Sequence, residues 1–334
     1  MSKNTNLNKA KEAKNDEFYT QREDIERELS HYKEFFKDKI VYCNCDDPVE
    51  SEFWKFFVRV FKDWGLKKLM ATHYEPDEKN YAYRLELCGD VNGDGRIDEN
   101  DEPTKTPIQC NGDFRNQICI EFLKEADIVV TNPPFSLMRE YIMQLFEYGK
   151  QFVVIAPLNC LKYRDIFKLI QEKKMWAGYS NPKVFRVPDG TVGSGVFIQD
   201  GRTFKKFGNV LWVTNLDTTK RHSMIDLRGN YYRKELYPTY DNFDAIDVSK
   251  VEDIPCDYQG YIGVPVTFVQ SYNPEQFELI GMGTGDTAKL IGVTKNYRGR
   301  TDLSVTREGK SSCPYTRIII RNRNPEPRRY PDEN

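Results

Sequence analysis

The chain has no apolar run approaching the roughly 18 residues that a membrane helix needs, so a helical membrane protein is excluded. It also has no paired C-x-x-C. Its eight cysteines are scattered, with Cys43 and Cys45 one residue apart and Cys88, Cys110 and Cys119 widely spaced, and its three histidines lie far apart. Neither a zinc framework nor a disulfide framework fits, and reduced, mostly buried thiols are expected. There is no excess of positive charge: 49 Lys and Arg stand against 51 Asp and Glu, a formal net charge of −2. A polyanionic partner would therefore have to be met by a local field. The polar, Lys- and Asn-rich start from Met1 to Asn15 has no apolar segment of the secretory kind, so a cytoplasmic protein is expected. This start reads as a solvated tail whose Lys3, Lys9, Lys11 and Lys14 could reach a phosphate backbone. No repeat or low-complexity block stands out.

What is present is alternation. Strand-like runs at Lys39–Cys43, Lys67–Tyr74, Asp127–Thr131, Gln151–Pro157, Met175–Tyr179 and Val210–Leu216 are mostly separated by helical stretches. Such an order predicts an α/β fold with a mixed, mostly parallel sheet. The 334 residues suggest about two domains. The expected division is a catalytic domain over 1–222 and a C-terminal target-recognition region over 223–334, the latter rich in Tyr and Pro with β-like runs at Tyr261–Gln270 and Thr316–Arg321.

The run Asp127-Ile128-Val129-Val130-Thr131 is β-branched, follows a helical stretch from Asn116 to Ala126, and leads directly into Asn132-Pro133-Pro134-Phe135. In an open α/β sheet, ligands bind beyond the carboxyl ends of the strands, which is where this tetrapeptide falls. Asn132 offers a side-chain oxygen and Pro133 a backbone carbonyl, and each proline restricts the residue before it to extended conformations. Two acceptors so held can grip the N–H bonds of an exocyclic amine while its lone pair turns towards an electrophilic methyl, and Phe135 would stack on the ring that carries the amine. Amino-methylation is therefore the leading reading. A plain Asn-Pro-Pro turn with a hydrophobic anchor is the alternative.

Further segments resemble the EcoRI-type adenine-specific DNA methyltransferases: Asp16-Glu17-Phe18-Tyr19-Thr20, Val41 to Pro48, Asn111-Gly112-Asp113-Phe114-Arg115 and Asp127 to Tyr141, in that order, with Val210 to Leu216, Tyr237 to Asn242 and Gly263 to Phe268 behind them. The resemblance implies a Rossmann-like S-adenosylmethionine-dependent fold. It also implies cofactor contacts at Phe18, Tyr19 and Thr20, at the loop Cys45-Asp46-Asp47, and at Asp113 and Phe114. In chemical terms, Asp113 can accept from the cofactor's adenine amino group, Phe114 can stack on that ring, and Asp46 or Asp47 can accept from the methionine ammonium. Those two carboxylates could equally be a solvated helix N-terminus. The first loop carries Cys-Asp-Asp-Pro where methyltransferases commonly have a Gly-rich turn, an oddity that the EcoRI-type enzymes share. Glu75, after the second strand, could hold the cofactor ribose by the carboxylate logic of dinucleotide folds.

Asp90 to Asp101 has the spacing of a calcium loop. Asp90, Asn92, Asp94, Asp98 and Asp101 fall at positions 1, 3, 5, 9 and 12, Gly95 at 6, and Arg96 at 7 would give its backbone carbonyl. The final Asp makes it closer to dockerin loops than to EF-hands, and Tyr81–Cys88 before it alternates like a strand. A structural Ca2+ on an insertion at about 88–110 is expected, against a metal-free acidic hairpin.

For a DNA partner the candidate cations are Arg233 and Lys234, Arg298 and Arg300, and Arg307, each of which could instead be a solvated face. The resemblance implies duplex DNA as substrate, a flipped target adenine, and a place in a restriction-modification system beside an endonuclease for the same site. A short palindrome such as GAATTC is implied for that site. A monomer is the default, since one active site serves one adenine. Methyl transfer to RNA or to a protein glutamine, and a silent DNA-binding scaffold, remain the other classes.

Overall fold

Strands that are apolar on both faces must be covered on both faces, and such runs lie at the centre of this protein. The computed structural model describes residues 18–45, 47–75, 81–89 and 101–327. They form two compact units, one reaching to Cys160 and taking in Ala177–Leu216, the other made of Leu161–Trp176 with the chain from Asp217 onward. The second unit thus takes in a segment that the sequence reading had placed in the catalytic domain.

The strands up to Thr214 are β1 (Tyr19–Thr20), β2 (Ile40–Cys43), β3 (Lys68–His73), β4 (Tyr83–Leu87), β5 (Thr104–Pro107), β6 (Ile128–Thr131), β7 (Gln151–Pro157), β8 (Trp176–Ala177), β9 (Val184–Arg186), β10 (Val196–Gln199), β11 (Arg202–Lys206) and β12 (Val210–Thr214). The helices of the first unit are α1 (Arg22–Leu29), α2 (Glu52–Trp64), α3 (Gln117–Glu125) and α4 (Met138–Glu147). An eight-stranded sheet runs in the order β5-β4-β3-β2-β6-β7-β12-β8. Its four central strands β3, β2, β6 and β7 pair in parallel. On the flanks β4, β5 and β12 are antiparallel to their inner neighbours, so the sheet is mixed and its parallel part is confined to the centre. Every residue of β6 is buried. A second, all-antiparallel sheet, β1-β9-β11-β10, was not foreseen from the sequence.

Helix α2 shows how the sequence dictates local structure. Ser51 caps it by accepting the Phe53 amide at 3.1 Å, and Gly65 ends it at φ 63°, a left-handed conformation open to glycine at little cost. Between them Phe53, Trp54, Phe56, Phe57, Val58, Phe61 and Trp64 are buried, and with Phe36 they form one aromatic core face.

The expected strand Met175–Tyr179 shrinks to Trp176–Ala177 for a physical reason. The fully buried Glu28 carboxylate of α1 accepts from the Tyr179 amide at 2.7 Å, the Ser180 amide at 2.6 Å, the Ser180 hydroxyl at 2.7 Å and the Tyr32 hydroxyl at 2.8 Å. Backbone donors that a ladder would have used are taken by a side chain. Gly178 is required beside it, since a Cβ there would lie 2.1 Å from Glu28 Oε1.

In the second unit β13 (Ala245–Asp247), β14 (Tyr261–Pro265), β15 (Phe277–Met282) and β18 (Arg317–Asn322) form a sheet of order β13-β14-β18-β15, beside the hairpin β16 (Val305–Arg307) and β17 (Lys310–Ser312). The predicted run Tyr261–Gln270 is a strand only to Pro265, after which Val266–Ser271 turns into a 3-10 helix. The unit also contains α5 (Arg164–Gln171) and α6 (Gly285–Leu290).

Replacing Glu28 by Ala leaves buried donors on Tyr179, Ser180 and Tyr32 without their acceptor. At about 1–3 kcal/mol per unsatisfied group, denaturant unfolding of Glu28→Ala should show a loss of about 3 kcal/mol or more. A change below about 1 kcal/mol would contradict the role given to this carboxylate.

Candidate active site

Proline has no amide to continue a ladder, and the chain leaves the sheet at the end of β6 with Asn132 as the first residue outside it. Asn132 is 8% exposed, and its Nδ2 donates to the Phe18 carbonyl at 2.5 Å, which fixes the rotation of the amide and with it the direction in which Oδ1 can accept. Pro133 is buried and Pro134 half-buried, and the Pro134 carbonyl starts the short turn of Phe135–Leu137 by accepting the Leu137 amide at 3.0 Å. Phe135 sits 5.5 Å from Phe18 and 6.3 Å from Phe207, while Phe18 packs on Phe207 at 4.7 Å and on Phe185 at 6.3 Å. The tetrapeptide is thus walled by Phe18 just before β1 and Phe207 just after β11, backed by Phe185 of β9, with Lys205 Nζ 5.0 Å above the Phe207 ring. Phe185, Lys205 and Phe207 were missed in the sequence. Their only signal is alternation in short strands.

The first loop is tied to the same strand, since the Cys45 amide donates to Thr131 Oγ1 at 3.2 Å. Asp47 folds this loop by accepting the Val49 amide at 2.8 Å and the Glu50 amide at 3.3 Å. Helix α2 begins beyond it, capped by Ser51, so Asp47 is not the cap of that helix. Its other oxygen meets His73 Nδ1 at 3.0 Å, and His73 Nε2 lies 3.7 Å from Glu75 Oε2. His73 ends β3, stacks on Tyr83 at 4.8 Å and joins two predicted cofactor carboxylates. Nothing in the sequence around His73 signals this role, because both partners reach it only through the fold. The bond to Asp47 raises the His73 pKa above its ordinary value against the opposing effect of burial, and the Asp47 and Glu75 charges add to it. Burial pushes the Asp47 carboxyl up, but His73 and the two amides outweigh it and hold it below its usual range.

The Asn111–Arg115 loop closes on these groups. The Glu75 amide donates to the Asn111 carbonyl at 2.9 Å, and Gly112, at φ 80°, brings its backbone so near His73 that a Cβ would stand 2.3 Å from the His73 carbonyl oxygen. Asp113 is gripped by Arg115 through Nε at 2.9 Å and Nη2 at 2.6 Å, which lowers its pKa against the cost of burial. Phe114 is 5% exposed, lies edge-on to Tyr141 at 5.0 Å, and gives its carbonyl to Gln144 Nε2 at 3.2 Å. The Tyr141 hydroxyl in turn donates to Asn44 Oδ1 at 2.6 Å, at the end of β2. Tyr19 is half-buried with the Arg186 guanidinium 5.8 Å above its ring, and Thr20 is buried with no hydrogen-bond partner for Oγ1 among the described residues.

Asp46, Asp90, Asn92, Asp94, Arg96 and Asp98 lie outside the described residues. Of the predicted calcium loop only Asp101 is placed, and it is 3% exposed. Among the described residues no group of three or more His, Cys, Asp or Glu could hold a metal ion, and no helix is long and apolar enough to cross a membrane.

In the second unit, Arg307 is exposed but already paired. It shares the buried Asp247 carboxylate with Arg317, at 2.9 Å and 2.8 Å, and the Tyr240 hydroxyl donates to the same group at 2.7 Å. Arg233 is exposed and lies 3.5 Å from Glu235, and Lys234 is exposed. Arg298 and Arg300 lie on the exposed loop before β16.

A mixed α/β sheet with Asn-Pro-Pro-Phe at the carboxyl end of a central parallel strand is consistent with the methyltransferase class. The chain belongs to the family of adenine-specific methyltransferases of the EcoRI type, whose pattern it matches over residues 6–323. It is 43% identical to the type II methyltransferase M.EcoRI of Escherichia coli, over 95% of this chain and 96% of that protein. Identity to the type II methyltransferase M.MpnI of Mycoplasma pneumoniae is 39%, over 95% and 98% of the two chains. A type II methyltransferase of Mycoplasma genitalium is 34% identical, over 94% and 98%. No solved structure is matched.

Because the His73 pKa is raised in the fold, its proton contributes stability that is fully present below the unfolded value of about 6.5 and is lost as pH rises through the folded value. Wild type should therefore melt further above His73→Gln at pH 6 than at pH 8.5. A difference that stays constant across that range would show that the imidazolium does not hold the two carboxylates.

Proposed function

We propose that the chain is a site-specific DNA adenine-N6 methyltransferase, the modification enzyme of a type II restriction-modification system, using S-adenosylmethionine on an adenine flipped from duplex DNA. The observation that carries this reading is the Asn132 amide, oriented by the Phe18 carbonyl at the mouth of a central strand and walled by Phe18, Phe135 and Phe207. Family membership supports the same reaction. A Rossmann-like fold, with residues 223–334 as target-recognition region, belongs to this proposal.

The residues present fit the cofactor. Thr20 Oγ1 is a buried hydroxyl with no hydrogen-bond partner among the described residues, Asp47 and Glu75 are carboxylates suited to an ammonium and a ribose diol, and the Asp113–Phe114 pair suits an adenine ring. When bound, S-adenosylmethionine supplies an electrophilic methyl group. The chain's own part is alignment: Asn132 Oδ1 and the Pro133 carbonyl accept the two N–H bonds of the target amine and turn its lone pair out of the ring, while Phe135 and its aromatic neighbours hold the base and exclude water. Positive charge developing on the nitrogen is stabilised by the same two oxygens. Arg115 makes three bonds to the Asp113 carboxylate, two on Oδ1 and one on Oδ2, so Oδ2 keeps a lone pair that can accept from an amino group.

With tritiated S-adenosylmethionine and unmethylated duplex DNA, label should appear as N6-methyladenine, and Asn132→Ala should abolish turnover while leaving cofactor and DNA affinity largely intact. Retained turnover in that variant would remove the catalytic role, and label found only in RNA or protein would replace the substrate class. Asp113→Ala should weaken cofactor binding severely by calorimetry, and unchanged affinity would remove that contact. The calcium reading of Asp90–Asp101 rests on its spacing alone, and calcium uptake unchanged in Asp90→Ala would end it.

A further inference from the structure

The loop between Thr294 and Asp302 is mounted with unusual rigidity for an exposed segment. Two buried asparagines hold it, Asn242 and Asn296, each 8% exposed. Asn242 Nδ2 donates to the Thr294 carbonyl at 2.8 Å and the Asp302 carbonyl at 2.9 Å, clamping both ends, while its own carbonyl accepts the Thr294 amide at 3.1 Å. Asn296 works from inside. Its Nδ2 donates to the Asp302 carbonyl at 3.0 Å, its Oδ1 accepts the amides of Arg298 at 2.9 Å and Arg300 at 3.2 Å, and its backbone closes the turn on Arg300 and Gly299 at 2.8 Å each. Buried polar groups satisfied in this way specify one backbone arrangement.

What the turn presents is cationic and unpaired. Lys295, Arg298 and Arg300 are exposed, and none forms an ion pair with a described residue. Elsewhere Arg84, Arg115, Arg186, Arg317 and Arg321 all rest on carboxylates. Even the nearest acid in sequence is otherwise engaged, since Asp302 Oδ1 accepts the Gly285 amide at 2.9 Å. Tyr297 is 50% exposed, with the Arg298 guanidinium 5.1 Å above its ring, an arrangement that keeps the planar fork oriented. Around the turn, residues 285–323 carry nine Lys and Arg against three Asp and Glu, in a chain whose formal net charge is −2. Loose phosphate contact needs only charge, whereas a fixed backbone with free guanidinium forks suits hydrogen bonding to base edges.

We infer that the turn 295–300 is the element that reads base edges in the major groove of duplex DNA, with Arg298 and Arg300 as the forks for guanine and Asn242 and Asn296 as the residues that position them. The inference rests on the methyl-transfer reading above and assigns its sequence selectivity to one loop.

The test incubates the full-length protein and S-adenosylmethionine with a library of random-sequence duplex DNA, and locates N6-methyladenine by sequencing. Wild type should mark one fixed sequence. Arg298→Ala and Arg300→Ala should each relax one position of it, reducing discrimination there by roughly tenfold to a hundredfold, with melting temperature and cofactor affinity unchanged. Arg→Lys at these positions should not restore selectivity, because an ammonium lacks the fork. Asn296→Ala should relax the same positions by loosening the mount. Variants that keep the wild-type sequence profile, including ones whose KM for DNA rises equally on every sequence, would overturn the inference while leaving the methyltransferase reading intact. A wild-type protein that binds cofactor yet marks no adenine in the library would overturn both.

Discussion

Two consecutive prolines behind a fully buried strand are the constraint on which the first unit depends. Neither Pro133 nor Pro134 can donate to a ladder, so the chain must leave the sheet at Thr131, in the layer where the neighbouring central strand β2 ends in its own loop. The two residues at that exit then set the register of everything around them. Thr131 receives the Cys45 amide and so fixes the first loop, and Asn132 takes the Phe18 carbonyl and so fixes the segment before β1. Fixing Phe18 places the aromatic wall. The small antiparallel sheet carries that wall because β1 pairs with β9, and β9 pairs with β11.

Local chemistry was legible in the sequence, and long-range chemistry was not. The tetrapeptide, the capped helix from Asn116 and the central strands could be read because each is decided by neighbours a few residues away. Asn116 accepts the Ile118 amide at 3.0 Å as an N-cap should, and β6 and β7 are buried along nearly all their lengths. His73 could not be read. It lies at the end of an ordinary strand and acquires meaning only when the Asp47 loop is folded beside it. Glu28 is a sharper case, because a carboxylate in an amphipathic helix gives no sign that it will be fully buried against amides more than 150 residues away in sequence. The resulting break in the strand at Gly178 is likewise a tertiary effect that overrides β propensity.

Three carboxylates of the first unit, Asp47, Glu75 and Asp113, are engaged before any ligand arrives. Asp47 has His73 and two amides, Asp113 has Arg115, and Glu75 faces His73. A carboxylate held in this way cannot collapse onto a random cation. Its remaining lone pairs point in set directions, and a cationic ligand is met by groups whose reorganisation has already been done. The arrangement also moderates charge, since the two acids favour the protonated form of the imidazole between them, and in that form it offsets part of their charge.

The second unit uses its arginines in two ways. The buried Asp247 holds the buried Arg317 and the exposed Arg307, and with Tyr240 it makes a node that ties β13, β18 and the hairpin of β16 together. Among the described residues the arginines of the 295–300 turn have no ion pair, although a backbone just as well fixed carries them. Surface ion pairs are worth little in stability, so leaving them out costs the fold almost nothing. An unpaired guanidinium held in a defined place is, however, a strong hydrogen-bonding group for a polyanion. Arg317 shows the other use of arginine in the same unit: buried, its guanidinium is tolerated only beside the Asp247 carboxylate, whereas the exposed guanidinium of Arg298 or Arg300 stays solvated and needs no acid.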